Sequence, residues 1–183
     1  MKLLATVVLV VLCLGLAGSV SYGAELSSKD VNYIANIITE LDSYVVWPEG
    51  KSLEGKGDLL VITAIGESPL YDELKKFNMK KTDEKRTIKF RQVEPDWMPA
   101  NSHVLIFSGL DSERTRKLIG LLHDKGSLTV TLGEGNSALG SVMNFVGSNA
   151  EHDARIELNS EAAEEEGFAF ETTLLDKASV VEK

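Results

Sequence analysis

The sequence predicts an α/β fold: a three-layer sandwich whose mixed, mostly parallel sheet is flanked by helices and carries an antiparallel edge hairpin. Three observations carry that prediction. Val104-Leu105-Ile106-Phe107 and Leu59 to Ile65 are unbroken apolar runs of strand length, suited to strands buried on both faces. His103 to Leu132 reads strand, helix, strand with short links, a βαβ unit whose crossover is nearly always right-handed. Ser141 to Val146 and Ala154 to Leu158 read as two strands around Gly147 to Asp153, an antiparallel hairpin.

The chain of 183 residues opens with Lys2, an apolar run from Leu3 to Ala17 and small residues to Gly23. That is the layout of a secretory signal peptide over residues 1–23, with Ser21-Tyr22-Gly23 before a cut at Ala24. The run falls short of the roughly 20 residues that a spanning helix needs. Leu12 precedes Cys13 where a lipoprotein signal has a small residue. Residues 24–183 are then expected to form one α/β domain, long enough for a real core. Cys13, the sole cysteine, leaves with the leader, so the mature chain has no disulfide and no thiolate metal site. The net charge of −9 becomes −10 once Lys2 is gone, which argues against nucleic-acid binding.

Ser27 or Ser28 precedes an apolar stripe, Val31, Ile34, Ala35, Ile38, Leu41 and Val45, which predicts a helix to about Tyr44 that ends at Trp47-Pro48. Glu49 to Gly57 reads as loop, and the strand Leu59 to Ile65 is closed by Gly66. Pro69 suits the first turn of a short helix through Phe77. Lys80 to Lys85 is polar loop, Thr87 to Val93 a strand, and Pro95, Pro99 and Asn101 mark a turn. Asp111 or Ser112 is placed to cap the next helix, which buries Leu118, Ile119, Leu121 and Leu122 and ends at Lys125-Gly126. Gly133 to Gly140 is a glycine-rich loop. Ser160 is read as the cap of a helix that Gly167 stops, and a last helix carries Leu174, Leu175, Ala178 and Val181.

Few residues fall in patterns that carry chemistry. Gly133-Glu134-Gly135-Asn136-Ser137-Ala138 matches a dinucleotide fingerprint, but a strand rather than a long helix follows it. His103, His123 and His152 sit at a strand start, a helix end and a turn, with no helical metal spacing. No serine lies in a G-x-S-x-G elbow, and Glu164-Glu165-Glu166 points around a helix as a solvated face would. No catalytic residue, cofactor or metal is therefore expected, and the chain is read as no enzyme. Lys75 to Arg91 is basic and Glu151 to Glu171 acidic, which describes either a dipolar molecule with an anionic partner or two solvated faces. Trp47-Pro48 ends a helix as a core plug would, and Trp97 stands in a turn. Together they are the candidates for an interaction or ligand patch, because aromatic side chains anchor interfaces.

The ordered pieces resemble the YfiR-like periplasmic proteins. The residues that carry the resemblance are Tyr44-Val45-Val46-Trp47-Pro48, Val61 to Gly66, His103 to Phe107 and Gly140-Ser141-Val142-Met143-Asn144-Phe145. They continue in Arg155-Ile156-Glu157-Leu158-Asn159, Ala162-Ala163, Gly167 and Leu174-Leu175, so nearly the whole mature chain is covered. The resemblance implies a non-enzymatic periplasmic regulator. Such proteins bind the periplasmic region of an inner-membrane diguanylate cyclase and repress it, which lowers cyclic di-GMP signalling and biofilm. A peptidoglycan-associated outer-membrane lipoprotein is implied as the releasing partner. Relatives also form homodimers, though no long exposed apolar helix face here demands one. The founding member's redox-sensitive cysteines have no counterpart in the mature chain. Two other readings stay open: a periplasmic small-ligand receptor with its crevice beside Trp47, and a structural accessory of an envelope complex that docks through Lys75 to Arg91.

Overall fold

The computed structural model describes residues 26–48, 59–81, 86–97, 101–150 and 152–181. The expected leader, the loop 49–57 and Pro99 lie outside those residues. Helix α1 (Ser28–Thr39) starts where the serines predict it. Ser27 is its cap, and Asp30 closes a capping box with it. Asp30 is buried and also accepts from Ser148 Oγ at 2.9 Å, which ties the helix start to the loop after the sixth strand. Burial raises its carboxyl pKa, but the bonds from Ser27 and Ser148 outweigh that and hold it below the ordinary value.

The helix ends five residues sooner than its stripe suggests. A 3₁₀ turn over Leu41–Ser43 follows, and Asp42 on that turn pairs with Arg86 at 3.0 Å. Val45–Val46 then leave helical geometry altogether as strand β1. They are drawn away by pairing with β8 (Ala169–Phe170), Val45 opposite Phe170 and Val46 opposite Ala169.

The main sheet holds β2 (Leu59–Ile65), β3 (Thr87–Val93), β4 (Val104–Phe107), β5 (Leu128–Leu132), β6 (Met143–Val146), β7 (Arg155–Asn159) and β9 (Ala178–Val181). Their order is β3-β2-β4-β5-β6-β7-β9. The first five run parallel, β7 runs antiparallel to β6, and β9 lies parallel to β7. The antiparallel pair is thus present as predicted, with one more strand outside it. That strand replaces the expected last helix: α5 (Thr172–Leu175) makes a single turn, and Ala178 and Val181 belong to β9.

Chain direction explains the three layers. From β2 the chain moves to β3 through α2 (Tyr71–Phe77), and from β4 the opposite way to β5 through α3 (Ser112–Leu122). Right-handed crossovers taken in opposite directions put α2 and α3 on opposite faces. Alternation along β4 shows the result: Val104 and Ile106 join a core with Ile34, Ile38, Leu70 and Leu74 of the α1–α2 side. Leu105 and Phe107 join a smaller core with Leu118, Ile119 and Leu122. Asp111 caps α3 through Arg114 N–H, and Leu121, expected in the core, is 54% exposed. The stripe is narrower than predicted because this core is small.

Thr129 and Thr131 of β5 are buried rather than solvated. Thr131 Oγ1 lies 2.7 Å from Ser141 Oγ and donates to Asn144 Oδ1, and Asn144 Nδ2 donates to Glu157. A polar network thus fills the sheet face that apolar side chains fill elsewhere, with its groups satisfied inside it.

The order reverses between β2 and β4, the place where doubly wound sheets usually hold ligands. Here two main chains occupy it. A Cβ on Gly66 (φ +85) would stand 2.3 Å from Ser108 O, and one on Gly109 (φ +67) 2.9 Å from Glu67 O. Among the described residues, no helix is long and apolar enough to cross a membrane.

Candidate functional site

Trp47 and Pro48 sit where three distant segments meet. The Trp47 ring meets Phe168 edge-on at 5.6 Å and His103 at 6.2 Å. These are the tilted geometries that aromatic quadrupoles favour. His103 is fixed by the sheet. Its N–H donates to Val61 O, its C=O accepts from Leu128 N, and its Nδ1 accepts from Val61 N at 2.9 Å. A ring that accepts at Nδ1 carries no proton there. Phe168 follows α4 (Ser160–Glu166); the cap is Asn159, which accepts from Ala162 N–H, rather than Ser160, which is already the first helical residue. Ala162 and Ala163 are buried, small enough for the helix to lie close on β7.

Gly167 turns the chain out of α4 in left-handed geometry (φ +75), and a Cβ there would stand 3.2 Å from Pro48 Cβ. Only glycine combines that turn with that approach. Glu171 N–H then bonds Tyr44 O, and Lys177 Nζ stands 5.1 Å over the Tyr44 ring. The result is a clasp: residues 44–48 are held along their length by residues 167–177. Its outward side presents Val46, 49% exposed, opposite the exposed Ala169. The Trp47 indole Nε1 is buried and has no hydrogen-bond partner among the described residues.

One further contact ties the clasp to the α3 layer. His123, after α3, lies 3.1 Å from Asp124 and 3.5 Å from Glu165, while Glu166 Oε1 accepts from Asp124 N–H at 2.9 Å. Asp124, the nearest of these acids, does most to raise the His123 pKa; Glu166 and Glu165 add to it. Glu166 was expected on a solvated face, but its side chain is only 7% exposed. The other two glutamates of the run are exposed as expected.

Trp97 lies elsewhere. It is 48% exposed and stands 5.2 Å from the Arg91 guanidinium, which donates to Thr63 Oγ1 and Ser102 Oγ. Thr63 alternates with Ile62 and Ala64 of the α1–α2 core, so Arg91 and Trp97 belong to the opposite face from Trp47. The structure does not bring the two tryptophans into one ring contact. Nor, among the described residues, does Trp47 line the cleft at the carboxyl ends of β4 and β5. It meets His103 at the amino end of β4, whereas that cleft, of about 580 Å³, is lined by Gly109, Asp111, Arg114, Thr131 and Glu134. Among the described residues, no group of three or more His, Cys, Asp or Glu is placed to hold a metal ion.

The residues that sequence reasoning missed are His103 as a ring partner, Phe168, and the ribbon of β1 with β8. Two-residue strands carry no periodicity, and Phe168 lies beyond the glycine that ended the helical pattern. A family model described as YfiR/HmsC-like matches residues 32–179. No curated protein matches the chain.

Proposed function

The chain belongs to the YfiR/HmsC-like family, and we propose that it is a periplasmic, non-enzymatic protein that binds and represses an inner-membrane diguanylate cyclase. The family match over 32–179 is the observation that carries this reading, with export through residues 1–23 as its premise. Some of the residues that carried the resemblance, Tyr44 to Pro48 with Gly167, meet in the clasp, and there they act as structure. Trp47 fills, Pro48 approaches Gly167, and Asn159 caps. What the clasp offers a partner is its outer side, Val46 and Ala169, rather than Trp47 itself.

The experiment is deletion with complementation in the native host, and cyclic di-GMP is the readout. Loss of the gene raises cyclic di-GMP and biofilm, and the wild-type gene restores both. Val46→Asp accumulates normally yet fails to restore, because a charge on the contact face opposes docking without touching the core. Light crosslinking of tagged protein recovers a membrane protein with a cytoplasmic cyclase domain. Unchanged cyclic di-GMP on deletion under several growth conditions overturns the reading.

The small-ligand alternative is favoured by one observation, the 580 Å³ cleft beside the start of α3. Its walls are mixed, with Asp111, Arg114 and Glu134 beside Leu132 and Leu139, which suits a small zwitterionic molecule better than an apolar one. Chemical-shift changes of Gly109 and Thr131 with an amino-acid panel test it. A flat response removes it.

A further inference from the structure

The two long edges of the main sheet are β3 and β9, and β3 is left half finished. In β3 the odd residues turn their main-chain groups toward β2; Val93 C=O, for instance, accepts from Gly66 N–H. The even residues face outward. Ile88 is satisfied on that side by the chain itself: its N–H donates to Lys80 O and its C=O accepts from Met79 N–H at 2.7 Å. Met79 takes a left-handed conformation (φ 60) to do this while its side chain remains 68% exposed. Phe90 N–H is met by Asn78 Oδ1 at 2.9 Å. There the cover stops. The C=O of Phe90 and both main-chain groups of Gln92 pair with no described residue. Beside them runs a groove of about 340 Å³ walled by Tyr71, Lys75, Asn78 and Glu94.

We infer that this open half-edge is a docking site for an extended acidic segment of a partner protein, added to the sheet as one more strand. Main-chain groups that no described residue meets call for another main chain, which is how edge strands capture peptides. The rim sets the sign of the charge. Lys75, Lys80, Lys81 and Lys89 are exposed around the edge, in a chain whose net charge is −9. Lysines on an edge blunt self-pairing, since a second copy would bring one basic rim against another. The same lysines leave the edge complementary to acidic residues. A membrane surface would answer the lysines and leave the three main-chain groups unmet. Glu94, at the far end of the groove, marks where the acidic strand stops. The site stands whether or not the partner is a cyclase.

The test uses the purified full chain and a labelled short peptide that alternates valine with glutamate, read by fluorescence anisotropy at low ionic strength. The acidic peptide saturates the protein. Its lysine counterpart, and a version N-methylated on alternate residues, bind at least roughly tenfold more weakly. The double substitution Lys75→Glu with Lys89→Glu, both at exposed positions, reverses the charge preference. Gln92→Pro removes the outward N–H and costs about tenfold with an unchanged circular dichroism spectrum; if that variant fails to fold, the N-methylated peptide carries the same question.

Three results overturn the proposal. The first is equal or absent binding of the two peptides. The second is equal binding of the N-methylated form, which leaves charge alone. The third is a dimer in sedimentation that the double charge reversal dissolves, which assigns the edge to a second copy.

Discussion

Trp47 and Trp97 both stand in proline-marked turns beside the sheet, yet the molecule treats them differently. Trp47 is gripped by three segments that lie far apart in sequence: its own turn, His103 before β4 and Phe168 after α4. Among the described residues Trp97 meets, besides its own turn, the Arg91 guanidinium of β3, and it keeps about half its surface in water. The lesson concerns what makes an aromatic residue structural. The number of independent chain segments that must be ordered to hold it decides the matter, and the residue type does not. On that measure Trp47 is held by the fold more firmly than Trp97, which is 48% exposed.

The sharpest way to break this contrast is truncation. Trp47→Ala removes a plug shared by three segments and is expected to cost about 2–3 kcal/mol in urea unfolding, toward the low end for large aromatics because the ring is only partly buried. A loss no larger than that of Trp97→Ala would erase the distinction. Gly167→Ala comes next, at about 1–2 kcal/mol. It forces a side chain into left-handed geometry and against Pro48, and a thermal melt measures it.

A pH dependence is expected where α4 meets the end of α3, through His123. Its folded pKa is raised above the ordinary 6.5 by Asp124 first and by the α4 glutamates after it. The added stability is therefore fully present below about pH 6.5 and is lost as pH rises through the folded value. An NMR titration of His123 locates that value. His123→Gln should flatten the small decline in stability that sets in above about pH 6.5. A titration at or below 6.5 would sink the tie. The smallest effect is that of Trp97→Ala, under about 1 kcal/mol, because an exposed cation–π contact contributes little. Should Trp97 anchor a partner, that variant loses binding while its melt stays put.

How much of this was legible depends on how local the cause is. Val104 to Phe107 and Leu59 to Ile65 are strands because nearly every side chain in them is apolar, and α3 begins where Asp111 caps it. Those features need no knowledge of neighbours. Leu174, Leu175, Ala178 and Val181 fall at helical spacing, yet the chain abandons the helix after Leu175 because β7 has an open edge and Ala178 to Val181 fill it. The end of α1 misled in the same way, since Val45 continues the stripe and is removed from it only by Phe170. The clasp was half visible: Trp47, Pro48 and Gly167 stood out by type, but nothing near Trp47 in sequence names His103 or Phe168. The basic segment was visible as charge. That it borders an unfinished sheet edge required the hydrogen bonds of Met79, Asn78 and Ile88.

The contact of Gly66 with Ser108 and of Gly109 with Glu67 has a consequence for what this scaffold can become. In most doubly wound sheets a guest at the reversal point displaces water and swings side chains aside, so new chemistries arise by exchanging loops around a vacant seat. Here a guest would have to pry apart a pair of peptide backbones that already touch. Grafting a catalytic loop onto either strand end would leave that wedge in place. Remodelling would have to begin by lengthening both turns together, because until then the reversal point between β2 and β4 stays filled by main chain.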